Sequence, residues 1–100
     1  MISDMKDFAK RAHNAQSQLM QRASLLMIMG HSGMVETYVY PSIGTLVFRF
    51  DEIVNIHFSS ENPYSQDEID LAICTLDAAI EDKFKAAQHT IEVVKAWRGE

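Results

Sequence analysis

Residues 65 to 98 constrain the fold more than any other stretch of the chain. Ser65-Gln-Asp-Glu68 has the spacing of a capping box, in which the serine hydroxyl accepts from the Glu68 amide and the Glu68 carboxylate accepts from the Ser65 amide. Tyr64 and Ile69 are spaced as a hydrophobic staple across it. From this start Ile69, Ile73, Leu76, Ile80, Phe84, Ala87, Ile91, Val94 and Trp97 recur at intervals of three and four. Ala72, Ala79, Ala86 and Val93 form a second stripe beside them. The pattern predicts one helix running to Trp97 or Arg98, about 33 residues or roughly 50 Å at 1.5 Å per residue. A single domain of this size has an expected radius of gyration near 13 Å, hence a diameter of about 26 Å. Part of such a helix is expected to project unless another chain covers it, so a homodimer is expected.

The other half of the chain divides at Gly30. Ser3 is a suitable N-cap, Asp4 and Asp7 suit the positive end of a helix, and Gly30 is a stop signal reinforced by Gly33. Between them Ile2, Met5, Ala9, Ala12, Gln16, Leu19, Ala23 and Leu26 form a heptad-like stripe flanked by Phe8, Ala15 and Arg22. A helix over 3–29 follows. From residue 34 the period changes to two. Val35, Thr37 and Val39 alternate with Glu36, Tyr38 and Tyr40, and Leu46, Phe48 and Phe50 alternate with Val47, Arg49 and Asp51. Pro41-Ser-Ile-Gly44 between these runs is a turn, so they form a hairpin. Val54, Ile56 and Phe58 suggest a third strand, although Asp51-Glu52 is not a favoured hairpin turn. The expected fold is a single α+β domain over 1–100: a long N-terminal helix, a small antiparallel sheet of two or three strands, and a long C-terminal helix, the helices packing antiparallel.

Bulk properties exclude several classes. The net charge is −5, without the clustered Lys and Arg that phosphate contacts require. The order helix, three strands, helix matches the double-stranded-RNA-binding domain in topology alone. That module needs a basic start to its second helix, whereas here Gln66-Asp-Glu-Ile-Asp70 would repel phosphate. Nucleic acid is not an expected partner. Cys74 is the sole cysteine, so no intrachain disulfide supports the fold, and it is expected to be a half-buried, inert thiol. The longest apolar run, Leu25 to Met29, is far short of a membrane span. The opening residues carry early acids and no apolar core of a secretory signal, which makes the cytoplasm the expected location.

No catalytic, cofactor or metal motif emerges. His13, His31, His57 and His89 do not pair at ligand spacing, and Glu92 beside His89 supplies only two donors. Gly30-His-Ser-Gly33 follows a helix and precedes a strand, the reverse of a phosphate loop. Two features remain. Asp70, Asp77 and Glu81 share a helix face, and no base follows Glu68 within this helix before Lys83, which would suit a partner with a basic surface. Leu25-Leu-Met-Ile-Met29 is apolar on every side of a helix, more than one core face needs, so Leu25 and Met29 are candidates for a partner contact. The expected function is a non-enzymatic protein-interaction domain, a small regulator, adaptor or inhibitor that occludes a partner. In size and composition it resembles small inhibitors encoded by phages or mobile elements. Two alternatives stand beside it. One is a small-molecule pocket lined by Tyr38, Tyr40, Phe48 and Trp97. The other is an enzyme site assembled across a dimer from His57, Glu52 and Asp51.

Overall fold

A computed structural model of the chain describes residues 2–59, 61 and 65–99, with the side chains of residues 2–5 and 65 outside that description. It is an α+β fold with the element order α1 (Ile2–Ile28), β1 (Val35–Tyr40), a single 3-10 turn (Pro41–Ile43), β2 (Thr45–Phe50), β3 (Val54–Ser59) and α2 (Ser65–Arg98). The strands form one antiparallel sheet in the order β1-β2-β3. The capping box and staple expected at Ser65 and Tyr64 involve groups outside the described residues, although α2 does begin at Ser65.

Local chemistry explains the boundaries. Helix α1 ends in a Schellman motif: the Gly30 amide donates to Met27 O at 3.1 Å and the His31 amide to Leu26 O at 3.0 Å. Gly30 sits at φ 98°, a conformation that costs a residue with a Cβ. Gly44 closes the β1–β2 turn at φ 63° and donates to Pro41 O. The β2–β3 link, which lacks a favoured hairpin sequence, turns because Asp51 takes φ 50°, and aspartate tolerates that region better than most residues. The Ile53 amide then donates to Phe50 O at 3.1 Å. The third strand therefore forms.

Both helices cover one face of the sheet. Leu19, Ala23 and Leu26 of α1 pack with Phe48, Phe50 and Val54 and with Ala72 and Leu76 of α2; Phe8, Ala12 and Ala15 pack with Leu46, Phe58 and Ile69. The buried stripe of α1 thus differs from the expected one. Phe8 and Ala15, expected to flank, are core residues, and Ala9 and Gln16 lie at its edge. The reason is that α1 meets two neighbours, sheet and helix, and needs a wider apolar face than a single coiled-coil seam. The Phe8 and Phe58 rings stack at 5.1 Å. Gln16 is accommodated because its Nε2 donates to Thr37 Oγ1 at 2.9 Å, and that hydroxyl donates to Val47 O at 2.9 Å.

The helices run parallel, which corrects the antiparallel expectation. Arg11 donates to Gln66 and Arg22 to Asp77, pairs that are both 55 residues apart, so position advances together along both helices. Strand parity is the cause. Each antiparallel strand reverses the chain, and three strands return α2 to the direction of α1, whereas two would have opposed it. On the same offset Ile28, the last residue of α1, stands level with Lys83. Beyond it α2 continues alone, and the molecule measures 67 × 21 × 19 Å.

Candidate protein-interaction surface

The acidic face of α2 is less free than the helix alone suggests. Asp77 accepts from Arg22 Nε at 2.8 Å, Glu81 pairs with Lys85 Nζ at 3.1 Å, and Asp70 accepts from Gln66 Nε2 at 3.1 Å. Asp70, Asp77 and Glu81 do share one exposed side. The base that meets Asp77 comes from α1, 55 residues away in sequence. Part of this surface is therefore an intramolecular helix–helix contact, and its net field is weaker than three uncompensated carboxylates would produce.

The apolar segment at the end of α1 divides by direction. Leu26 is fully buried in the core, Leu25, Met27 and Ile28 face outward, and Met29 is half-buried. Ile28 is 81% exposed. A helical run of five apolar residues must do this, since one face can reach the core and the others cannot.

A long uncovered apolar surface lies on α2 past Lys83. Up to Ile80 its main stripe is packed: Ile69 and Leu76 are buried, Ile73 and Ile80 half-buried. The same stripe then runs into solvent, with Phe84 65%, Ile91 53% and Trp97 86% exposed, and Val93 and Val94 also uncovered. Roughly 15 residues, about 22 Å of helix, carry these side chains beyond the body. Single exposed apolar residues are ordinary; here they form a contiguous row on one element.

The residues expected to line a small-molecule pocket do not meet. Tyr38 and Tyr40 stack on each other at 6.2 Å on the open face of the sheet, Phe48 is buried beneath the opposite face, and Trp97 stands at the far end of α2. Period-two alternation places the tyrosines and Phe48 on strands, and the register, with Tyr38 opposite Val47 and Thr37 opposite Phe48, puts them on opposite faces of the sheet. An open cleft of about 440 Å³ exists elsewhere, between β3 and α2, lined by Ile53, Ile56, His57, Glu68, Leu71 and Thr75 among others. Nor does one chain assemble His57, Glu52 and Asp51. His57 lies on the open face opposite Val47, while Asp51, in the turn, faces His31, with Oδ2 3.4 Å from Nε2. That nitrogen is buried without a hydrogen bond, and the ring packs on Phe50 at 5.2 Å. Cys74 is exposed rather than half-buried. Among the described residues no group of three or more His, Cys, Asp or Glu is placed to hold a metal, and no helix is long and apolar enough to cross a membrane.

Comparison with protein-family models, with curated proteins and with solved structures finds no match to this chain.

Proposed function

We propose that this chain is a non-enzymatic protein-interaction domain, a small regulator, adaptor or inhibitor that acts by occluding a partner surface, with the projecting half of α2 as its contact element. One observation carries the reading: Phe84, Ile91 and Trp97 face solvent on a helix held clear of the body. Helices that present an apolar row of this spacing bind in apolar grooves or against other helices. Tryptophan and other aromatics supply much of the energy at such contacts. Immobilised full-length chain should retain a specific protein from a lysate, and the variant Phe84→Ser/Trp97→Ser should retain far less with an unchanged circular dichroism spectrum. Equal retention by both removes the reading of the projecting helix as the contact element, and none by either removes a partner other than a second copy of the chain.

A second reading rests on the cleft between β3 and α2, where Asn55, His57, Glu68 and Thr75 surround an apolar floor that includes Ile56 and Ala72. A few polar groups around an apolar hollow suit a small ligand. A thermal-shift screen with metabolites and nucleotides tests it, with Leu71→Lys as the variant that should abolish any shift found.

A further inference from the structure

The stripe that α1 and the sheet cover as far as Ile80 continues bare through Phe84, Ala87, Ile91 and Val94. We infer that a second copy of this chain covers it, the two projecting helices pairing antiparallel about a two-fold axis at position 89. This rests on the reading of that helix as a contact element and names its occupant.

Charge sets the direction. Helix α2 carries six acids and no base as far as Asp82, then four bases against Glu92 alone from Lys83 to Arg98. In an antiparallel pair centred on position 89, Glu81 and Asp82 are the acids of the first half that lie within the overlap, and Lys95 and Arg98 of the partner subunit come level with them; a parallel pair sets like against like. Side-chain size and spacing set the register. Mirrored about position 89, Phe84 meets Val94 of the partner subunit and Ala87 meets Ile91 of the partner subunit, so a large residue faces a smaller one in each layer. On one flank Glu81 meets Lys95 of the partner subunit; on the other, Lys83 meets Trp97 of the partner subunit, a cation against an aromatic face. Because the contact is isologous, each of these pairs occurs twice.

The end of α1 fits the same arrangement. Ile28 stands level with Lys83 and is uncovered, so the last turn of the second copy's helix, from Lys95 of the partner subunit onward, lies beside the last turn of α1. The last turn of α1 holds no base of its own. The partner's Arg98 arrives near its carbonyl end, where a cation complements the helix dipole. The exposed side chains of Leu25, Met27 and Ile28 then adjoin the end of the contact made by the tail of α2.

Sedimentation equilibrium at micromolar concentration tests this directly. The expected mass is twice the 11.4 kDa of one chain. Ile91→Lys, on an exposed helical site where lysine is a good helix former, should raise the dimer Kd by about 100-fold with unchanged helix content. Glu81→Lys and Lys95→Glu should each weaken the dimer by about tenfold, and the two together should restore it. A monomer at all concentrations overturns the inference and leaves the lysate test of the helix standing. A dimer indifferent to Ile91→Lys places the contact elsewhere and overturns it. A dimer that Ile91→Lys breaks but the paired charge exchange does not restore overturns the antiparallel register. Retention of a lysate protein by Ile91→Lys monomers, with no dimer in the wild type, identifies a different occupant and overturns the inference as well.

Discussion

Single residues here act mainly through backbone conformation and buried volume. Gly30 is the clearest case. Its φ of 98° and its amide bond to Met27 O close α1, and nothing crowds the space a Cβ would enter, so the cost of substitution is conformational rather than steric. Gly30→Ala should destabilise the fold by about 1–2 kcal/mol in denaturant titration. The acids of α2 form a contrasting case. Asp77→Asn removes the carboxylate charge that pairs with Arg22 between two helices, while Asp70→Asn removes a charge whose contact with the neutral Gln66 lies within α2. Since both are exposed, the first should cost at most about 1 kcal/mol and the second close to nothing. Chemical denaturation of the two variants checks this, and an equal effect would mean that the Arg22 bridge does not form in solution.

At the scale of elements, α2 is one helix in two environments. Its first half is held by α1 and the sheet, and its second half has only its own hydrogen bonds. An isolated helix of about 15 residues is marginal in water. Amide exchange over 84–98 should therefore be faster than over 69–80 in dilute solution, by roughly two orders of magnitude. If the second copy binds as inferred, protection over 84–98 alone should rise with protein concentration. Exchange measured by mass spectrometry at two concentrations separates these effects. Uniform protection along the whole of α2 at the lower concentration would contradict the two-environment picture. The sheet shows the same principle in another form: its inner face is closed by Leu46, Phe48 and Phe50, while Glu36, Tyr38, Arg49 and His57 line the open one.

For the whole molecule the informative quantity is shape. The radius of gyration, 17.6 Å, exceeds the roughly 13 Å of a compact chain of this length, and the difference is the projecting helix. Pairing of two tails about position 89 would leave the bodies at opposite ends of a rod. Each chain spans 67 Å, and about 14 Å of helix lies beyond the axis, so the dimer should extend to roughly 105 Å. Small-angle scattering at a concentration where sedimentation shows the dimer should find that maximum dimension. A value near 67 Å would mean that the bodies lie side by side.

Much of this was legible without coordinates, because helices and strands depend on periodicity and on a few special residues. The two helices, the Pro41–Gly44 turn and the stop at Gly30 all follow from side-chain spacing and local backbone preference, whereas the alternation of Val54, Ile56 and Phe58 left the sheet at two or three strands. The excess length of α2 follows too, since 33 residues of stripe exceed the width of a 100-residue domain. What the tertiary structure alone decided involves relations between distant segments. The parallel course of the helices depends on whether Asp51 completes a third strand. The neutralisation of Asp77 depends on Arg22, 55 residues away. The inclusion of Phe8 and Ala15 in the core depends on α1 meeting a sheet and a helix at once, and the separation of Tyr38 from Phe48 depends on the register of β1 against β2, which sets Tyr38 opposite Val47 and Phe48 opposite Thr37. Local pattern shows which side chains share a face; only packing decides what that face meets.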